Sequence, residues 1–300
     1  MDFILSFLNS IPGTFGQGLA WGIMAIGVYI TYRILDVADL TVDGSLATGG
    51  AVCALCITMG MNPWLAMLMA VLAGILTQLA LYSINLRIMA IGSGAQTQAT
   101  LALSVDKYDL LVSSRNIRSL TVENPLIFLA VLVVIVIAVL YWFFGTELGS
   151  SLRATGANQA MARAQGINTD WNKVLGLVIS NGLVALSGGL LAQYQGSATV
   201  DMGRGAIVIG LAAVIIGEVL LSKVFHNFAL KLFASIIGAI IYYIVITLVL
   251  NLGLAPTDLK LLTALVVALF LTIPYWKGKY FHKKTKALPG TAGKGGNGNA

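Results

Sequence analysis

Charge is what this sequence lacks most. Only 10% of its 300 residues are Asp, Glu, Lys or Arg, against 58% hydrophobic residues and a mean hydropathy of +0.88. Soluble domains carry about 25% charged residues, so an ordinary water-soluble fold is excluded. Cysteine and histidine are scarcer still, with two of each. Cys53 and Cys56 share a helix face inside an apolar run, and no third Cys or His stands nearby in sequence to complete a zinc site. They read as small packing residues. His226 and His282 are isolated, and no HExxH or Ser-His-Asp pattern occurs. The GTAGKG stretch at 290–295 misses the spacing of a phosphate loop. No catalytic residue, metal or cofactor is expected, and the chain is not expected to be an enzyme.

What is present is length without charge. Residues 3–32 hold no charged side chain, and 44–86 are 43 residues without one. As a single helix the second run would reach about 64 Å, twice a bilayer's hydrocarbon core. It must double back, and Gly60-Met61-Asn62-Pro63 supplies the turn. The predicted spans are 16–34, 45–60, 63–83, 88–105, 125–144, 174–192, 205–221, 232–250 and 261–276. The fourth is weakened by its Gly, Ser, Thr and Gln content. These must be helices, because backbone facing lipid has no partner except its own turn. The expected fold is therefore all-α, a polytopic membrane protein of about nine transmembrane helices.

Residues 1–276 form the transmembrane domain in this reading, and 277–300 are a basic, Gly-rich tail expected to be disordered. With the C-terminus in the cytoplasm, nine spans put the N-terminus outside. Thirteen of the 18 Lys and Arg then fall on the cytoplasmic side, as orientation by basic residues requires. The net charge of +6 serves topology and contact with the lipid bilayer, and nucleic-acid binding is not needed to explain it.

Two places in the chain resemble each other. Thr41-Val42-Asp43 and Thr199-Val200-Asp201 each lie between an apolar helix and a glycine-rich helix start. The preceding spans run in opposite directions across the membrane, so spans 1–4 and 6–9 would be inverted repeats. That is an architecture of membrane transport, with polar turns at the repeat interface. Loops with an Asp turn residue would look the same locally. Further polar groups interrupt the apolar runs. Glu218 sits about one turn from the end of span 7, where it either snorkels to the interface or marks a functional site. Asn181 and Gln193 give span 6 a polar side, which suits either a polar solute path or hydrogen bonding between helices. Trp21, Trp64, Trp142 and Trp276 fall near predicted interfaces and mostly read as an anchoring belt. The candidate solute-pathway residues are thus Thr41, Asp43, Asn181, Gln193, Thr199, Asp201 and Glu218.

The segment 145–173 is the most informative. Asn158 is a good N-cap and Gly166 a good residue to end a helix, bracketing about two turns. So short a helix is not stable alone. With Met161 and Arg163 protruding among small residues, it suits docking into a groove on a soluble partner. A membrane-parallel amphipathic loop is the plainer alternative.

Arg153, the Ala-rich 158–166 stretch, Arg163 and Gly166-Ile167-Asn168 resemble the cytoplasmic coupling loop of permease subunits in bacterial ABC importers of the branched-chain amino acid and ribose type. The stretches at 180–189 and 207–218 are similar to a little-characterised group of these permeases linked to uptake of aromatic amino acids. The resemblance covers about residues 16–275. It implies a transport subunit in the bacterial cell membrane, paired with a second permease copy as a homodimer. It also implies two separate ATPase subunits and an extracytoplasmic solute-binding protein. The coupling residues it indicates are Arg153, Asn158, Gln159, Ala160, Met161, Arg163 and Gly166. An ion-coupled secondary transporter is the rival expectation, with Asp43, Asp201 and Glu218 available for coupling.

Overall fold

The computed structural model describes residues 2–37, 39–76, 81–91, 97–103, 110–115, 124–221 and 227–252, with single helical residues at 265, 268 and 272. Helix α1 (Asp2–Tyr29) continues into a π-helical turn, Ile30–Ile34, in which Leu35 N–H reaches back five residues to the Ile30 carbonyl at 3.0 Å. The first predicted span lies within this continuous helix.

Helices α2 (Val42–Thr58) and α3 (Pro63–Leu76) form the expected hairpin. Gly60 takes a φ of 80°, a conformation that disfavours a side chain. Asn62 accepts from Trp64 N–H at 2.9 Å, and Pro63 starts α3, where its missing N–H costs nothing.

The fourth predicted span is not a single helix. Helix α4 (Leu81–Ala90) stops early, and strand β1 (Thr100–Ala102) pairs antiparallel with strand β2 (Ser197–Thr199), Leu101 opposite Ala198. Residues 91–103 include two glycines and several Ser, Thr and Gln, which hold a helix poorly. Pairing with β2 satisfies the backbone of residues 100–102 instead. Among the described residues the chain is mostly helical, and this two-stranded ribbon is its one sheet.

Four stretches among the described residues are long and apolar enough to cross a bilayer. They are α5 (Pro125–Gly145), α8 (Thr169–Gln195), Val200–Leu221, which ends in α9 (Ala206–Leu221), and α10 (Phe228–Asn251). Helices α2 and α3 are apolar but shorter. The predicted ninth span and the 277–300 tail lie outside the described residues, apart from the three isolated positions. Between α5 and α8 come α6 (Glu147–Ala157) and α7 (Gln159–Ala164).

Helix α8 is the centre of the bundle and α5 its rim: 61% of α8's apolar window is buried, against 22% of α5's. Along α1, α8 is fastened by three hydrogen bonds at a constant spacing. Ser180 Oγ donates to the Gly27 carbonyl at 2.8 Å, Ser187 Oγ to Ala20 at 2.8 Å, and Tyr194 OH to Gly13 at 3.0 Å. Seven residues separate successive partners on both helices, two turns each, so one face of α8 meets one face of antiparallel α1 throughout. Such bonds suit a lipid setting, where apolar burial alone does not draw helices together. Elsewhere small residues bring backbones into contact. Gly49 sits against the Ala185 carbonyl, Gly188 against that of Leu46, and Gly238 against that of Ala213. Trp21, expected in the interfacial belt, is buried and packs against Tyr243 with ring centroids 5.7 Å apart, while Trp64 and Trp142 are exposed.

Candidate functional site

After the π-helical turn the chain makes a short irregular link to α2, and this link carries a buried carboxylate. Asp39 is 6% exposed. Its Oδ1 accepts from Thr41 N–H at 2.9 Å and from the Thr41 hydroxyl. Its Oδ2 accepts from Asn181 Nδ2 of α8 at 3.0 Å. Asn181 Oδ1 in turn accepts from Ser45 Oγ at 2.7 Å, and Thr41 Oγ1, whose single proton is shared with Asp39, lies 3.2 Å from it. A buried carboxylate is tolerated only when its oxygens are satisfied, and here both are. The arrangement joins the α1–α2 link to the middle of α8.

Asp43, in the first turn of α2, reaches across to the other half of the chain. Its Oδ2 accepts from Gly205 N–H and its Oδ1 from Ile207 N–H, each at 2.9 Å. It therefore caps the start of α9. Gly205 has φ 84°, which turns the chain into that helix. Gly203, just before it, lies against Asp43's own carbonyl, with no room for a side chain. Asp201, the counterpart in the sequence pairing, is exposed and pairs locally with Arg204 at 3.0 Å. The two Thr-Val-Asp turns thus sit at comparable helix starts but do different things. Thr199 is the last residue of β2, opposite Thr100.

Glu218 meets Arg33 of the π-helical turn, Oε1 to Nε at 2.9 Å, with the two side chains 32% and 60% exposed. Gln193 is fully buried elsewhere. Its Oε1 accepts from Leu111 N–H at 3.0 Å and its Nε2 lies 3.4 Å from Cys53 Sγ. The buried polar side chains of α8 are therefore hydrogen-bonded within the protein. Asp39, Ser45 and Arg33 were not singled out from the sequence. The Asp39-Leu40-Thr41 spacing, a turn with its own side-chain acceptor, was the available signal for Asp39.

The 145–173 segment is built from caps. Thr146 accepts from Gly149 N–H at the start of α6, and Asn158 both ends α6 and caps α7 by accepting from Met161 N–H at 3.0 Å. Gly166, at φ 81°, ends the turn after α7. Gly156 of α6 packs on the Ile34 carbonyl, so α6 rests on the end of the long α1 path. Asn172 of α8 donates to Ser151 and Thr155 of α6 at 3.2 and 3.0 Å, and Lys173 donates to Gln159 at 3.0 Å. Arg153 donates to the Phe144 carbonyl at 2.8 Å and lies over the Phe228 ring. Arg163 bonds the Thr169 hydroxyl at 2.8 Å and Asp170 at 3.4 Å while its side chain stays 59% exposed, so it braces α7 against α8 at the surface. Ala162 is buried, while Ala160, Ala164 and Met161 face outward, Met161 being 59% exposed.

Residues 10–273 match the family described as branched-chain amino acid transport system / permease component. The chain belongs to that family. The tyrosine transport system permease protein of Clostridioides difficile (strain R20291) is 37% identical over 286 residues, covering 88% of this chain and 91% of that one. An uncharacterized protein of Rickettsia prowazekii (strain Madrid E) is 33% identical over 289 residues, covering 88% and 98%. No solved structure matches this chain. Family membership and the apolar helices together make this a multi-pass membrane permease of the ABC transporter type, a class of transport subunits rather than enzymes.

Proposed function

We propose that this permease forms the solute pathway of an ABC importer for an amino acid and is driven by separate ATPase subunits through α7. A second copy of the chain completes the pathway, and an extracytoplasmic binding protein delivers the solute. An aromatic amino acid is the favoured solute class, on the strength of the tyrosine transport relative. The C-terminus is cytoplasmic in this arrangement, with α6 and α7 facing the ATPase.

The observation that carries the reading is the presentation of α7. A helix of six residues does not hold itself together in water, yet this one is capped at both ends and braced by Arg163 and by the Lys173–Gln159 bond. That bracing leaves Ala160, Met161 and Ala164 outward, a small-residue surface with one flexible apolar side chain. Small residues let a helix sit deep in a partner's groove, and Met adapts to its walls. Because α6 rests on Ile34 and α8, a push on α7 is transmitted to the Asp39–Asn181 junction. No bond in the solute is broken.

Ala160→Glu tests this directly. The exposed position accepts Glu without disturbing the fold, but a buried anchor lost at an interface weakens binding about thirtyfold or more. The variant should reach the membrane intact, fail to co-purify with the ATPase in detergent, and lose ATP-driven uptake in proteoliposomes. Full ATPase binding with full uptake would remove α7 from the coupling role. Uptake that follows an ion gradient without any ATPase would replace the importer with a secondary transporter.

A further inference from the structure

Two open grooves, of about 560 and 450 Å³, adjoin where α5, α6 and α10 meet. They share Arg153, Asn227 and Phe228 as common walls and so lie side by side along the surface as a two-part channel. Its two ends differ in chemistry. One end is lined by Tyr141, Trp142 and Phe144 at the close of α5, the most apolar of the spans found among the described residues. The other is lined by Arg33, Arg153 and Lys231, three cations from three separate elements.

We propose that this channel binds an anionic phospholipid, with the phosphate among Arg33, Arg153 and Lys231 and an acyl chain along Tyr141 and Trp142. The charge balance supports an anion: the described lining residues include no carboxylate, and Glu218, which lies on Arg33, leaves the other two cations unneutralised by it. That bond uses Arg33 Nε, and the bond to Phe144 uses one terminal nitrogen of Arg153. A guanidinium carries five N–H donors in a planar fork that matches phosphate, so donors remain on both arginines. Helix α10 starts in the same channel. It has no acidic residue in its first turn, and its N-cap, Asn227, makes no side-chain cap bond. Its positive dipole end therefore adds to the three cations. Phe228, stacked under Arg153 at 5.9 Å, separates the polar end from the apolar one. Basic pockets between transmembrane helices are suited to anionic headgroups, and the aromatic end supplies what a free phosphate does not need. A bound lipid would tie α6 to α1 and α10 at the base of the coupling segment, so its retention would couple membrane charge to transport.

The full chain, purified in mild detergent, should be incubated with dioleoyl phosphatidylglycerol or dioleoyl phosphatidylcholine and examined by native mass spectrometry. Preferential retention of one phosphatidylglycerol per chain is expected, and Lys231→Gln should weaken it about fivefold. Lys284→Gln, in the basic tail, should leave it unchanged. Equal losses in both variants would assign the binding to diffuse charge and overturn the site. Displacement by millimolar inorganic phosphate as readily as by lipid would make this a free-anion site and overturn the lipid. No preference over phosphatidylcholine, or protection of the channel only by an ATPase partner, would also overturn it. None of these readouts depends on α7, so the site and the coupling proposal stand or fall separately.

Discussion

The Asp43 carboxylate, at the start of α2, accepts the backbone N–H of Gly205, 162 residues further along the chain, at 2.9 Å. With Ile207 on its other oxygen, one side chain satisfies two donors that the start of α9 would otherwise leave open in a membrane protein's interior. The negative charge also lies at the favourable end of the α9 dipole. The first and second halves of the permease are therefore joined by an N-cap supplied from a distance.

Removing that cap should be felt more than removing its sequence counterpart. Asp43→Ala is expected to cost about 1–2 kcal/mol, the usual range for losing an N-cap. Asp43→Asn should cost less, since its amide oxygen still accepts one bond. Asp201→Ala, at an exposed residue paired with its neighbour Arg204, should stay within about 0.5 kcal/mol. Thermal unfolding of the three variants in detergent measures the order, with uptake falling in the same sequence. Equal losses at 43 and 201 would mean that the two turns are equivalent after all.

The Asp39–Asn181 contact predicts strong coupling. Asn181→Leu leaves Oδ2 of a buried carboxylate unpaired and is expected to cost about 1–3 kcal/mol. Adding Asp39→Leu to that variant should restore part of the loss, because no charge then remains to be satisfied. A double-mutant cycle on unfolding midpoints should return an interaction of about 1–3 kcal/mol. Simple additivity would show that the two residues act independently, whatever their distance.

The Arg33–Glu218 pair predicts the opposite. Both partners reach water, Arg33 at 60%, so the pair contributes at most about 1 kcal/mol and is weakened by salt. Glu218→Gln should shift the unfolding midpoint slightly, and less at high ionic strength. Uptake by this variant should remain ATP-dependent and independent of any ion gradient. A large loss of uptake that tracks a proton or sodium gradient would identify Glu218 as an ion-coupling carboxylate instead.

What could be read from the sequence was what is locally encoded. Asn158 and Gly166 marked α7 because cap and terminator act within a few residues, and the Gly60–Pro63 turn was legible for the same reason. The apolar runs located α5, α8, α9 and α10 to within a few residues at most of their ends. Residues 88–105 were misread as a span because the partner of β1 lies nearly a hundred positions away, and an apolar count cannot see it. Asp39 and Ser45 acquire their meaning only from Asn181, more than 130 residues distant. Arg163 also bonds the Thr169 hydroxyl, six residues on, a contact that the sequence did not announce. Helix spacing alone does not say which way a long side chain turns.

The ribbon of β1 and β2 changes how the α8–α9 connector behaves under load. A connector between two spans is usually the place where a membrane protein bends. Here Thr199 is held opposite Thr100, Val200 N–H bonds the Ala99 carbonyl at 3.0 Å, and the far end of the connector is held by Asp43. Both flanks are fastened, so the connector cannot act as a free hinge. Bending there would break the Leu101–Ala198 strand pairing. The slack must lie elsewhere, and amide exchange at Val200 should stay slow for as long as α8 and α9 travel together.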